Sequence, residues 1–556
     1  MCAKKKKKSL KNLFYSSNES WWIIGFSIFI SGGMLTNPQI ITSFLLKGNL
    51  EGMWIIWAGL TGVAFGKAFF AHLWKNVPVK TENELILFRF SGKGAKILHA
   101  FRSIYVGGII APLGLAMVFL AFGRILAFLF DISDHSGIII SLIIVLISTF
   151  FNSLRQRLRL DNIYLLFFIV ILIILFSFLV KNIGSLHHLS QTIHNSSIQY
   201  RILPKTGTKA FTAFLVFFLV QWWSASIIDF PNLTGQKLMA AKKISDITKS
   251  VVLPSLLFSV FTLVLYTIPF YILMINPSVM KGLNGEEAFM TIFPKALPDY
   301  LYFIVVLFFL LPFITSVNST QNWAGSLLVQ NFYIYYIRKD ADEKHINRTG
   351  LIVMILIAIL SATTALFADS ILGIIKYLFV ISAGVGPVFI LRWYWYRINA
   401  WSQLSAMISS LIYANLYQIL YDNVANFKIF IDNLLQRLNM DFYPLELILL
   451  TIAVCLTWLI VTFLTKPTNK NIIERFAQTV KPGGCWNVNN CGKIYFWKRF
   501  AVAIIFVISD FSFYITVWHF VNGDYILFGL FYILYLVFKI VAYIRLNKVN
   551  NYYDKG

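Results

Sequence analysis

Trp21-Trp22-Ile23-Ile24-Gly25-Phe26-Ser27-Ile28-Phe29-Ile30 is followed at once by Ser31-Gly32-Gly33-Met34-Leu35-Thr36-Asn37-Pro38. An apolar helix thus stops in the middle of a membrane span and resumes at Gln39 to Leu46. Crossing a hydrocarbon core takes roughly 20 apolar residues, and the stretch has that length only if both pieces are counted. The glycines and the Asn-Pro step free backbone carbonyls and amides that lipid cannot satisfy. Such backbone is tolerated at membrane depth only where protein or a water-filled cavity partners it. Asp229-Phe230-Pro231-Asn232 interrupts the sixth apolar span in the same way, and Gly384-Val385-Gly386-Pro387 the tenth. The first and sixth spans hold matching places in two five-helix halves of opposite orientation, a pattern that points to a binding site near the midplane.

The rest of the chain agrees with a membrane solvent. Hydrophobic residues make up 58% and charged residues 13%, against roughly a quarter charged in soluble domains. Apolar spans between charged or Gly/Pro-rich breaks number about 14. The expected fold is an all-α polytopic membrane protein: a five-plus-five inverted-repeat bundle, about four further C-terminal helices, and both ends in the cytoplasm. That orientation puts about 35 of the 48 Lys and Arg in short inside loops. Lys4 to Lys8, Arg155, Arg157 and Arg159 are examples. The net charge of +24 is thereby explained by topology and by attraction to anionic lipids, without nucleic acid. The expected division is a basic N-terminus at 1–20, a first repeat at 21–182, an outer loop at 183–209, a second repeat at 210–400, accessory helices at 401–544 and a cytoplasmic tail at 545–556. Four cysteines, Cys2, Cys455, Cys485 and Cys491, are too few and scattered for a disulfide framework.

Several motifs resemble the sodium:solute symporter family, whose core has the LeuT-type inverted repeat. Trp21-Trp22-Ile23-Ile24-Gly25 is similar to the start of its first core helix, and Thr81-Glu82-Asn83-Glu84 through Arg89-Phe90 to its Thr-x-x-Glu-x-x-x-x-Arg-Phe element. Gln236 to Lys242 resembles the Gln-Arg-x-x-x-Ala-Lys stretch, and Thr315-Ser316-Val317-Asn318-Ser319 to Tyr333 its polar eighth helix. Arg392 to Trp401 is similar to a branch common in bacteria, which implies the bacterial inner membrane. Family members usually carry an extra helix ahead of the Trp-Trp element, where 20 residues precede Trp21 here. The resemblance implies inward symport of a small solute with sodium.

A sodium ion needs several oxygens to replace its water, and an unwound helix with nearby hydroxyls supplies them at little charge cost. By resemblance the ligands are the carbonyls of Ile30, Gly33 and Pro312 with the hydroxyls of Thr315 and Ser316. The bland alternative is that both hydroxyls bond back to the preceding helical turn. Asp161, at the start of a fifth helix expected at 162–181, resembles an acid near the inward sodium exit. A helix N-terminus would also favour a carboxylate there for its own sake. For the solute, Thr36 and Asn37 follow the first break, Glu84 lies in the matched loop, and Asn318 stands a turn beyond Ser316. A structural loop contact is the favoured alternative for Glu84, interhelical bonding is an equal alternative for Asn318, and Trp222-Trp223 reads best as interface aromatics. Pro231 stands where sugar carriers place a polar residue, so a sugar is not supported.

No phosphate-binding loop is present, so an ion gradient must drive accumulation. Glu286-Glu287 and His187-His188 fall in separate outer loops, a poor basis for the clustered acid-base groups of a membrane-embedded transferase. The other alternative is a non-transporting or sensor-like member of the same fold. Lys67, Arg124, Lys376 and Asp510 lie inside apolar spans and are expected to be paired or near an interface. Oligomeric state is not written in these patterns.

Overall fold

The computed structural model describes residues 14, 16, 18–32, 34–149, 154–185, 188, 191, 199–225, 228–275, 289, 298–483 and 491–555. Lys4 to Lys8, Gly33, His187, Glu286-Glu287 and Cys485 lie outside the described residues, as does the Cys491 side chain. Among the described residues every regular element is a helix. Nine are long and apolar enough to cross a membrane, and four more are apolar but shorter. Three of those four, Trp21–Ile30, Lys209–Ser224 and Ile371–Val380, end where the first, sixth and tenth spans carry their Gly, Pro and Asn residues. The protein is a multi-pass membrane protein whose irregular backbone lies where the sequence expects it.

The first span is α1 (Trp21–Ile30) and α2 (Asn37–Leu46). Pro38 sits in the first turn of α2, where a missing amide costs nothing. Then come α3 (Trp54–Phe69), α4 (Gly92–Leu129), α5 (Asp134–Thr149) and α6 (Leu154–Ile183). The sixth span is α7 (Lys209–Ser224) and α8 (Leu233–Met239). Between them Phe230 takes φ 58, costly for a bulky residue and typical of a functional turn. Asn232 caps α8 by accepting from the Thr234 amide at 3.0 Å.

Next are α9 (Ile244–Ile275), α10 (Asp299–Gly325, prolonged by a π-helical Ser326–Ile337), α11 (Glu343–Leu366), α12 (Ile371–Val380) and α13 (Gly386–Tyr394). The turn between α12 and α13 passes through Gly384 at φ +75. Its freed carbonyls are satisfied from outside: the Ser410 hydroxyl donates to Ile381 O at 2.9 Å and Ala383 O at 3.0 Å. A Cβ on Gly386 would stand 2.0 Å from Trp223 O, so the start of α13 lies backbone against backbone on the end of α7. Beyond residue 400 follow α14 (Ala400–Asn423), α15 (Ala425–Arg437), α16 (Phe442–Leu464), α17 (Lys470–Val480), α18 (Cys491–Val521) and α19 (Tyr525–Lys555).

Packing places α1 along α6 and α9, α10 along α6 and α4, and the α18–α19 hairpin against α3 and α9. Three local readings change. The fifth helix is already formed at Leu154, because the Arg155, Arg157 and Arg159 run that reads as a loop is helical and buries Arg157. The connections after α14 and α16 hold the helices α15 and α17, whose polar composition conceals them. α17 buries Phe476 beside the Trp393 and Phe88 rings. The last helix runs past residue 544 to Lys555.

Candidate functional site

The α1 half-helix ends at Ile30 with carbonyls pointing onward and few amides left to meet them. α10 supplies hydroxyls at that level. Thr315 Oγ1 lies 3.5 Å from Ile30 O and donates to Pro312 O at 3.0 Å. Ser316 Oγ lies 3.5 Å from Ser31 O. Thr315 and Ser316 are both buried. Two neighbouring hydroxyls of α10 thus each lie within 3.5 Å of a carbonyl at the end of α1. The back-bonding alternative holds for Thr315, yet the carbonyl it meets is Pro312, itself one of the expected ligands. Ser31 O joins the group although the sequence reading named Gly33, which is not among the described residues.

Below this cluster a charged group lies against the same helix end. Asp161 accepts a hydrogen bond from the Ser27 hydroxyl. Lys237, on α8, donates to Ser27 O at 3.0 Å and to Ser31 Oγ at 2.8 Å, with its Nζ 3.9 Å from Asp161 Oδ2. Asp161 lies well inside α6 rather than at its start, so the helix-dipole explanation is withdrawn: by that depth the amides are paired within the helix. A carbonyl helix end favours a cation, and Lys237 is a cation standing there. The sequence offered Lys237 only as part of a motif, and its partners 76 and 206 or more residues away gave no local signal.

The second break is clamped on one side. Asp229 Oδ2 accepts from Arg392 Nη2 at 2.7 Å, Arg392 Nε at 3.0 Å and Trp393 Nε1 at 2.5 Å. Trp74 Nε1 donates to Asp229 O at 2.6 Å, and Arg102 to Pro231 O at 2.7 Å. Arg102 in turn pairs with Glu82 at 2.8 Å. All of these side chains are buried, so the clamp ties the break between α7 and α8 to α4, to α13 and to the connection between α3 and α4 through charges that must stay paired. Arg392→Met leaves Asp229 buried without its cation and is expected to cost about 3–5 kcal/mol of stability. The double variant Asp229→Asn/Arg392→Met is expected to lose less, and thermal unfolding in detergent compares the two.

The remaining candidates separate. Thr36 is buried immediately before α2 and Asn37 begins that helix, beside the first break as expected. Glu84 accepts from the Lys80 amide at 3.0 Å, the loop-bonding alternative, and it is Glu82 that reaches the clamp. Asn318 Oδ1 accepts from Ser148 at 3.2 Å and its carbonyl accepts from Arg157, the interhelical alternative. It lines a space of about 490 Å³ with Gln156 and Tyr164, away from Thr36. Trp222 stacks on Phe65 at 4.8 Å. Arg124 pairs with Asp134 at 3.3 Å, and Lys376 lies over Tyr443.

Comparison with known proteins agrees with this fold. The model of the Sodium:solute symporter family matches residues 20–410. A solved Na+-coupled sialic acid symporter, substrate-bound and outward-open, superposes with a TM-score of 0.59 at 15% identity, covering 82% of this chain and 93% of that one. It shows a shared fold. The osmoregulated proline transporter OpuE of Bacillus subtilis (strain 168) is 28% identical over 96 residues, 17% of this chain and 20% of that protein. The high-affinity proline transporter PutP of the same organism is 27% identical over 121 residues, 20% of this chain and 26% of that protein. The matching segments thus span about a fifth to a quarter of the length of these two relatives.

Proposed function

The chain belongs to the sodium:solute symporter family, and from that membership we propose that it carries a small polar solute into a bacterial cell across the inner membrane, coupled to sodium, by alternating access. The observation that supports this reading best is the oxygen cluster of Ile30, Ser31, Pro312, Thr315 and Ser316. Sodium there ties α1 to α10. An ion that binds one conformation better than the other shifts the equilibrium by that difference, which is the whole of coupling. The solute sits on the outer side of the breaks near Thr36 and Asn37, where the first turn of α2 presents its amides. Asp161 lies on the inward path of the ion, and Lys237 is the fixed charge the ion meets on leaving.

Two relatives named as proline transporters make L-proline the first solute to try. The full chain in sealed proteoliposomes is loaded with unlabelled solute and diluted into labelled solute. Counterflow in sodium chloride that disappears in choline chloride is the expected result. Counterflow of equal size in both salts would exclude sodium coupling.

A further inference from the structure

Lys67 and Asp510, which the sequence leaves without a role, meet at a cavity of about 330 Å³. Its wall comes from the first, second, sixth and seventh spans and from α18 and α19. Those last two helices lie beyond residue 410, outside the part of the chain that the family model matches. The cavity reaches both breaks, at Gly32 and at Phe230.

Its charges do not balance. Lys539, 1% exposed, pairs with Asp510 at 2.5 Å. Lys67, 7% exposed, donates to the Ser255 hydroxyl at 2.5 Å and forms no ion pair among the described residues. The two ammonium groups flank one ring, at 5.8 and 5.5 Å from the Phe506 centroid. Two lysines and one carboxylate thus share a site at membrane depth, where an ionisable group without a counter-charge is expensive and marks function. The rest of the wall is mostly apolar, including Leu60, Phe258 and Phe513. A space of this size with an apolar body and a few convergent polar groups has the make-up of a small-molecule site.

The geometry points to a binding site for a small organic monocarboxylate, with its carboxylate on Lys67 and its apolar body between the symporter core and the α18–α19 hairpin. One lysine in excess of the Lys539–Asp510 pair suits a ligand with one negative charge, which would hold Lys67 in its ammonium form. The volume has room for a short chain. Asp510 does not repel the ligand, because Lys539 neutralises it. This site is separate from the proposed sodium cluster, and the proposal stands or falls without it.

The test is equilibrium binding of radiolabelled hexanoate to the full chain in lipid nanodiscs, with empty nanodiscs as background. Saturable binding is expected, weakened at least tenfold in Lys67→Met. Leu60→Trp, which keeps the lysine but fills the space, is expected to weaken it as strongly and decides the matter if Lys67→Met does not fold. Unlabelled hexanoate should displace the label, and equal concentrations of 1-hexanol or chloride should not. Absence of saturable binding overturns the proposal, and so does full binding by Leu60→Trp or by folded Lys67→Met. Displacement by hexanol would mean a merely apolar hole, and displacement by chloride an inorganic anion site; either overturns it too.

Discussion

Replacing Thr315 and Ser316 together by alanine is expected to weaken sodium binding at least a hundredfold while leaving the protein folded. Each hydroxyl is one oxygen of a site that must replace the ion's water. Losing a ligand worth about 1.4 kcal/mol lowers affinity about tenfold, and two such losses multiply if they act independently. The fold should tolerate the change, because among the described residues Thr315 and Ser316 bond only to carbonyls of their own helix or of the α1 break, and such bonds net about 1 kcal/mol each. Radioactive sodium binding to purified protein reads the effect, with thermal unfolding as the control for folding. Unchanged sodium affinity in a folded double variant would remove these hydroxyls from the ion site.

Lys237→Gln should move sodium affinity in the opposite direction. The ammonium lies on Ser27 O and Ser31 Oγ, about one turn from the carbonyls that face Thr315 and Ser316. At that separation and an effective dielectric near 20, two unit charges repel by about 3 kcal/mol. Removing the ammonium also leaves Asp161 as an uncompensated negative charge beside the ion. Sodium is therefore expected to bind at least tenfold more tightly, and release to the inside to slow. The variant carries a stability cost of about 3–5 kcal/mol, because a buried carboxylate loses its partner. Lys237→Gln/Asp161→Asn removes both charges and should return affinity towards the parent value. A purely structural lysine would give weaker sodium binding in both variants.

These two predictions differ in how far the sequence foretold them. The breaks at Ser31-Gly32, Asp229 to Asn232 and Gly384 to Pro387 were legible because Gly, Pro and Asn act locally: each frees or forbids a backbone bond at its own position. The Thr315-Ser316 pair was legible as adjacent hydroxyls inside an apolar span. Lys237 was not, since nothing near it in the chain announces that Asp161 and Ser27 stand beside it. The same holds for the clamp of Asp229, Arg392, Arg102 and Glu82, in which each charge is unremarkable until the fold closes. Asp161 was misplaced along its helix because three arginines upstream imitate a loop, although Arg157 is buried with its guanidinium on α10. Lys67 and Asp510 were expected to be paired or near an interface; Asp510 is paired, with Lys539, and both face one cavity because a hairpin more than 400 residues downstream packs against α3. Local chemistry decides where a membrane helix must stop, and long-range packing decides which buried charges meet.

The decisive measurement is a density map of the purified protein recorded once in sodium chloride and once in choline chloride. In sodium, a compact feature should lie between Ile30 O, Pro312 O and the Thr315 and Ser316 hydroxyls, with α1 still broken, and it should vanish in choline. Identical maps in the two salts, with those oxygens bonded only to one another, would contradict the sodium site.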